Sequence, residues 1–240
     1  MSEKPIIFSA EMVRAILDGR KTETRRVVKN PRGSRVDVQK AEFVQPYSNA
    51  LGFCNCWSFC RVINQSCTDE YRQAACNRMA IDTLRCPYGV SGDRLWVRES
   101  FQPLYDDKAA HGDCDYETGA GYKIRYVATE GITDWLDANT GIITDRILPS
   151  IHMPKWAARL WLEVVEVRVE RVQNMGNYSW VADFYPTLAE QSRALESFVG
   201  ERFQKEHSKK FWDRLNTKRG FGWDANPWVF VIRFKRSKRP

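Results

Sequence analysis

Gly19-Arg20-Lys21-Thr22-Glu23-Thr24-Arg25-Arg26 sets four cations, two hydroxyls and one carboxylate in eight consecutive residues. On an extended chain Thr22, Thr24 and Arg26 share one face, Glu23, Arg25 and Val27 share the other, and Lys21 stands at the turn before them. The like charges of Arg20, Arg25 and Arg26 disfavour protonation of Lys21 wherever the site is partly desolvated. A neutral lysine beside a threonine hydroxyl is a nucleophile with its base. The competing reading is an ordinary basic surface turn, because one or two cations after a helix are expected from its dipole.

A second group with chemical potential is the cysteine run. Cys54, Cys56, Cys60, Cys67, Cys76 and Cys86 place six thiols within 33 residues. Four thiolates at suitable spacing would hold a structural zinc ion, with Cys54, Cys56, Cys60 and Cys67 as the candidate ligands, and would order a poorly patterned stretch. The spacing lacks the usual pair of CxxC knuckles, and the competing reading is that several are buried apolar thiols.

The elements that must position these groups are legible in part. Ser9 suits a helix N-cap, Met12, Val13, Ile16 and Leu17 recur at helical spacing, and Gly19 falls where a left-handed C-terminal cap belongs. The basic cluster therefore begins where a helix stops. Lys4 to Phe8 reads as a short strand before that helix. A Gly92-Asp93 turn launches a strand with Leu95 and Val97 on one face and Arg94, Trp96 and Arg98 on the other, ending at Glu99. Arg159 to Val172 reads as a long strand with a bulge at Val164-Val165. A helix is expected from Thr187 to about His207, then a second helical piece holding Phe211, Trp212 and Leu215. The last strand runs from Trp228 to Phe234, with Trp228, Phe230, Ile232 and Phe234 on one face. Residues 30–85, rich in cysteine, and 102–145, with one strand at Tyr122 to Ala128, read as insertions into a single domain spanning 1–240.

At 240 residues the chain is long enough to bury a real core, and 43% hydrophobic and 28% charged residues are ordinary for a globular protein. A formal charge of +7 favours anionic partners, nucleic acid or nucleotides first. No apolar run approaches the length of a membrane helix and no signal-peptide core is present, so no membrane partner and a cytoplasmic location are expected. Cysteines in that compartment are not a disulfide framework.

Together the blocks resemble an ASCH-domain protein of the PUA-like superfamily, in the long form found in phages and prophages. They are Ile16 to Arg26, Cys86-Pro87-Tyr88-Gly89 with Gly92 to Glu99, Pro149 to Trp156, and Trp223 to Val229. The resemblance implies an α+β fold, a mostly antiparallel β-barrel with flanking helices and the two insertions, and a cleft that takes a base, nucleoside or RNA. Short bacterial members remove the acetyl group from N4-acetylcytidine with a lysine and a threonine that align with Lys21 and Thr24, plus a later glutamate. That glutamate falls where Asn174 to Glu196 departs from the family pattern, leaving Glu190 and Glu196 as candidates and Glu99 as another. The implied activity is amidohydrolysis of an N4-acylated cytosine nucleoside or nucleotide, with no cofactor required. Lys21 would take the proton of Thr24 or of a water, Arg25 or Arg26 would stabilise the oxyanion, and the glutamate would protonate the leaving amine. Arg98, His152 and Asp224 are further candidates for substrate binding, and Trp96, Trp156 and Trp223 for stacking on the base. The alternatives are a non-catalytic module binding RNA or modified DNA, and a metal-independent ribonuclease.

Overall fold

A computed structural model describes residues 1–30, 37–40, 43–47, 56–60, 82–105, 122–131, 135–136, 143–144, 147–175 and 200–239. In chain order its strands and helices are β1 (Glu3–Ile7), α1 (Ala10–Leu17), β2 (Glu23–Val27), β3 (Phe43–Tyr47), β4 (Cys56–Cys60), β5 (Asp82–Arg85), β6 (Arg94–Arg98), β7 (Phe101–Tyr105), β8 (Tyr122–Tyr126), the single-turn α2 (Val127–Glu130), β9 (Trp135–Leu136), β10 (Ile143–Thr144), β11 (Trp161–Arg171), α3 (Gly200–Asn216) and β12 (Trp228–Ser237). Among the described residues the architecture is α+β, with a mixed, mostly antiparallel central sheet and few helices.

The central sheet has the order β1-β6-β11-β12-β2, and only the β1–β6 pair is parallel. Alternation along β12 divides the core in two. Trp228, Phe230, Ile232 and Phe234 enter one cluster with Met12, Val13 and Ile16 of α1 and with Leu95 and Val97 of β6. Val229 and Val231 enter a second cluster on the opposite face, with Trp212 of α3 and Trp223. Both faces of β12 are covered, so it is a central strand by burial as well as by pairing.

The expected bulge in β11 lies between Val164 and Glu166. Its cause is the Gly92-Asp93 turn, which docks there: Gly92 N donates to Val164 O, Val164 N donates to Asp93 O, and the Ser91 hydroxyl donates to Val165 O. A residue pulled out to meet the turn leaves the β11–β12 ladder, and the ladder resumes one residue later.

The two ends of the sheet are brought together by a side chain. Arg26 of β2 donates from Nη2 to the carbonyl of Ile7, the last residue of β1, at 2.6 Å. Its guanidinium lies over the rings of Phe8 and Tyr88, at 5.2 and 5.9 Å. The sheet is therefore curled enough for its first and last strands to be within one arginine's reach.

Two expectations change. The helical signal around Phe211, Trp212 and Leu215 is not a separate piece. It belongs to one 17-residue helix, α3, that begins at Gly200, whereas residues 187–199 of the expected longer helix lie outside the described residues. The second insertion carries more than one strand, since β7 and β8 pair as an antiparallel hairpin and β9 pairs with β10. Near the C-terminus Arg233 and Lys235 belong to β12 and pair with Glu166 and Glu163, and Arg236 caps the Leu17 carbonyl of α1. Within the first insertion β3, β4 and β5 form a three-stranded antiparallel sheet.

Candidate functional site

The basic turn is built by the end of α1. Ser9 caps the helix start, accepting from Met12 N, and Gly19 takes the left-handed conformation with φ +76°. Arg20 N and Lys21 N both donate back to Ala15 O, which tucks the turn against the last helical carbonyls. As a result Lys21 is only 6% exposed and Thr24 only 3%. A solvated surface turn would leave both in water, so the surface-turn reading does not describe these two side chains. In the β2–β12 ladder Thr24 stands opposite Ile232 and Arg26 opposite Phe230, which puts both on the α1 side of the sheet.

Lys21 and Thr24 line a cavity of about 500 Å³ together with Arg25, Arg26, Arg98 and Tyr88. Its walls are the facing edges of β1 and β2, through Pro5 and Ile7 on one side and residues 23–27 on the other, and α3, through Phe211, Trp212 and Leu215. The volume falls within the roughly 300–1,000 Å³ of small-molecule sites. Its cations are Lys21, Arg25, Arg26, Lys29, Arg98 and Arg219, and the one carboxylate among its described residues is Glu23.

That carboxylate is already engaged. Arg25 Nη1 meets Glu23 at 2.8 Å and its Nε meets Glu170 at 3.0 Å, while Arg168 lies 3.3 Å from Glu170 and 3.4 Å from Glu23. The four side chains close a ring across β2 and β11 on the α3 side of the sheet. Burial would raise the Glu23 carboxyl, but Arg25 and then Arg168 outweigh it and hold it below the ordinary carboxylate range. Glu23 is thus held as an anion, and the Arg25 guanidinium is spent on two carboxylates. This corrects the expectation that Arg25 stands ready for an oxyanion. Arg26 likewise ties the sheet ends together through Ile7.

The other expected site residues are dispersed. Glu99, 2% exposed, is not among the residues lining this cavity and forms a bidentate pair with Arg159 at 2.9 Å through both carboxylate oxygens. Arg159 also lies 4.0 Å from the Tyr126 ring centroid and donates to the Thr129 hydroxyl. Burial pushes the Tyr126 phenol above its ordinary value, and its hydroxyl donates to Ala157 O. Trp96 packs with Ala158 and Trp161, and Trp156 packs against the cluster of Phe101, Met153 and Ala157. Trp223 is core, Asp224 pairs with Lys209 at 2.7 Å, and His152 is exposed on a short 3-10 turn. None of these lines the cavity, which corrects their assignment to one cleft with Lys21. Glu190 and Glu196 lie outside the described residues, as do Cys54, Cys67 and Cys76.

Cys56 and Cys60 begin and end β4, so at about 3.3 Å per residue their Cα atoms are about 13 Å apart, too far for both to bind one zinc ion. Among the described residues no group of three or more His, Cys, Asp or Glu side chains is placed to hold a metal ion. Cys86 is buried, and burial pushes its thiol up to about 11, the behaviour of an apolar core residue.

Residues that the sequence reading missed are Glu170 and Arg168, which neutralise Glu23 and Arg25, and the wall residues Tyr88, Phe211, Lys29 and Arg219. The first pair carried a signal, since Arg168-x-Glu170 mirrors Glu23-x-Arg25 at strand spacing. Only the register of β11 and β2 about β12 sets them opposite each other.

No protein-family model, no curated protein and no solved structure matches the chain. The likeness to ASCH proteins accordingly rests on the motif residues themselves.

Proposed function

We propose that the cavity between β1 and β2 binds a nucleotide or a nucleic-acid strand, as the cleft of an ASCH-type, PUA-like protein would. The observation that carries this reading is the charge of its wall: among its described residues six cations face one carboxylate, and that carboxylate is paired within the protein. Tyr88, Phe211 and Phe221 offer aromatic surface for a base beside those cations. The bridge from Arg26 to Ile7 supports the finer fold assignment, a curled sheet approaching a barrel. The cytoplasm, where nucleotides and nucleic acid are found, is the compartment this reading assigns. Structural zinc stays a proposal for the cysteine-rich insertion, with no more than one of Cys56 and Cys60 on any single ion.

The second reading, an amidohydrolase of N4-acylated cytosines, is favoured by the burial of Lys21 and Thr24 in one wall of that cavity. Lys21 would take the proton of Thr24 or of a water as the oxygen attacks the acyl carbon, and a donor would hold the oxyanion. The bond to the exocyclic nitrogen then breaks, and an acid must protonate it. Glu23 is a poor acid because its two arginines keep it ionised. The binding reading asks for no such group, and for that reason it comes first.

One panel tests both. Wild type, Lys21→Ala and Thr24→Ala are titrated with cytidine monophosphate and a short single-stranded RNA, and assayed for hydrolysis of N4-acetylcytosine, its nucleoside and its nucleotide. Binding by wild type without turnover, weakened about tenfold by Lys21→Ala, is the expected result. Turnover abolished by both substitutions would establish the amidohydrolase instead. A folded protein that binds neither ligand and turns over none sinks both readings.

A further inference from the structure

The six cavity cations are not equivalent. Arg25 is locked between Glu23 and Glu170, Arg26 is tied to Ile7 O, and Lys29 and Arg219 are exposed on the rim. Arg98 is different because it is held but not neutralised. Its guanidinium lies 4.8 Å from the centroid of the Trp96 ring, and its Nε donates to Met153 O at 3.0 Å. Among the described residues no carboxylate pairs with it, and its two terminal nitrogens carry no protein hydrogen bond. Trp96 itself is packed with Ala158 and Trp161, so the ring that supports the guanidinium is fixed. The Met153 carbonyl is equally fixed, since Met153 is fully buried among Phe101 and Ala157.

An arginine anchored at Nε and along one face presents its two Nη groups as a rigid fork. That fork matches two oxygens of a phosphoryl group, and its ordering cost has already been met by the fold. We infer that Arg98 is the phosphate subsite of the cavity, so that the ligand is a phosphorylated nucleotide or a strand end and not a free nucleoside. The inference rests on the nucleotide-binding reading above and deepens it. The backbone places the fork at the β1 wall, since Arg98 is the register partner of Ile7 and both line the cavity.

The test is a ratio. Cytidine and cytidine 5′-monophosphate are titrated by calorimetry into wild type, Arg98→Gln and Arg98→Lys, with unfolding midpoints measured for all three. Wild type should bind the monophosphate at least about tenfold more tightly than the nucleoside. Arg98→Gln should bring that ratio close to one while nucleoside affinity stays within about twofold, and Arg98→Lys should fall between them because a lysine supplies charge without the fork. A purely structural Arg98 would move both affinities together and leave the ratio unchanged. Equal wild-type affinity for the two ligands, or equal loss of both in Arg98→Gln, overturns the phosphate assignment while the nucleotide cavity survives. Failure of wild type to bind either ligand removes both.

Discussion

At the scale of single residues, two carboxylates that look alike in the sequence have separate tasks. Glu99 is buried against Arg159 with both oxygens bonded, so removing it strands a guanidinium that is itself mostly covered. Glu99→Ala should cost about 2–3 kcal/mol in urea unfolding, somewhat below the value for a fully buried pair because Arg159 retains some solvent. A stable Glu99→Ala protein that has lost an acyl-cytosine hydrolase activity would instead make Glu99 the missing acid. Glu23 makes a prediction in pH. Its folded-state carboxyl lies below the ordinary range, so its contribution is fully present above the unfolded value and fades as pH falls through the folded one. Acid unfolding should therefore begin below about pH 4.5, the ordinary glutamate range, and Glu23→Gln should flatten that limb of the stability curve.

At the scale of elements, the turns decide where the strands begin, and two glycines separate backbone cost from steric cost. Gly19 ends α1 at φ +76° with open space where a Cβ would stand. Gly89 has φ +100°, and a Cβ there would lie 2.7 Å from Asp93 Oδ2 and 2.9 Å from Asp93 Cβ. Asp93 cannot yield freely, because it accepts from Ser2 N and Val90 N and its backbone meets Val164 at the β11 bulge. Thermal unfolding should show Gly19→Ala costing about 1 kcal/mol, the price of a left-handed residue with a side chain. Gly89→Ala should cost at least about 2 kcal/mol, because strain adds to displacement of the turn that seats β6 on β11. Equal effects of the two substitutions would mean that the Asp93 contacts do not hold the turn.

At the scale of the whole molecule, the net charge of +7 is distributed unevenly between paired and unpaired cations. Arg25, Arg168, Arg233 and Lys235 are matched by glutamates within the sheet, so that, beside the buried Lys21, the cations left to meet the phosphates of a strand at the cavity are chiefly Lys29, Arg98 and Arg219. Three phosphate contacts on a single strand give a slope of about −2 in log affinity against log salt. Anisotropy titrations of a short RNA across a salt series measure it. A slope near zero would confine the ligand to a small molecule at the Arg98 fork, whereas a much steeper one would bring further basic surface into the interface.

The sequence by itself determined the local pieces: the Ser9 cap, the Gly19 stop, the faces of β2 and β6, the β11 bulge and the inward face of β12. Each depends on side-chain period or on glycine's freedom at positive φ, and both are properties of a few neighbouring residues. It also singled out Lys21 and Thr24, two side chains that fold into the wall of one cavity. What only the tertiary structure decided is which residues join them. The curl of the sheet brings Arg26 to Ile7, strand register sets Arg168 and Glu170 against Arg25 and Glu23, and Glu99 turns to Arg159 instead of the cavity. Charge pairing of that kind depends on distances between strands far apart in the chain, and no local pattern specifies those distances. The basic cluster of the sequence is therefore divided once folded: Arg25 enters a neutralised ring with Glu23, Arg168 and Glu170, and Arg26 bridges the sheet ends, while the held guanidinium fork is Arg98, from a different strand.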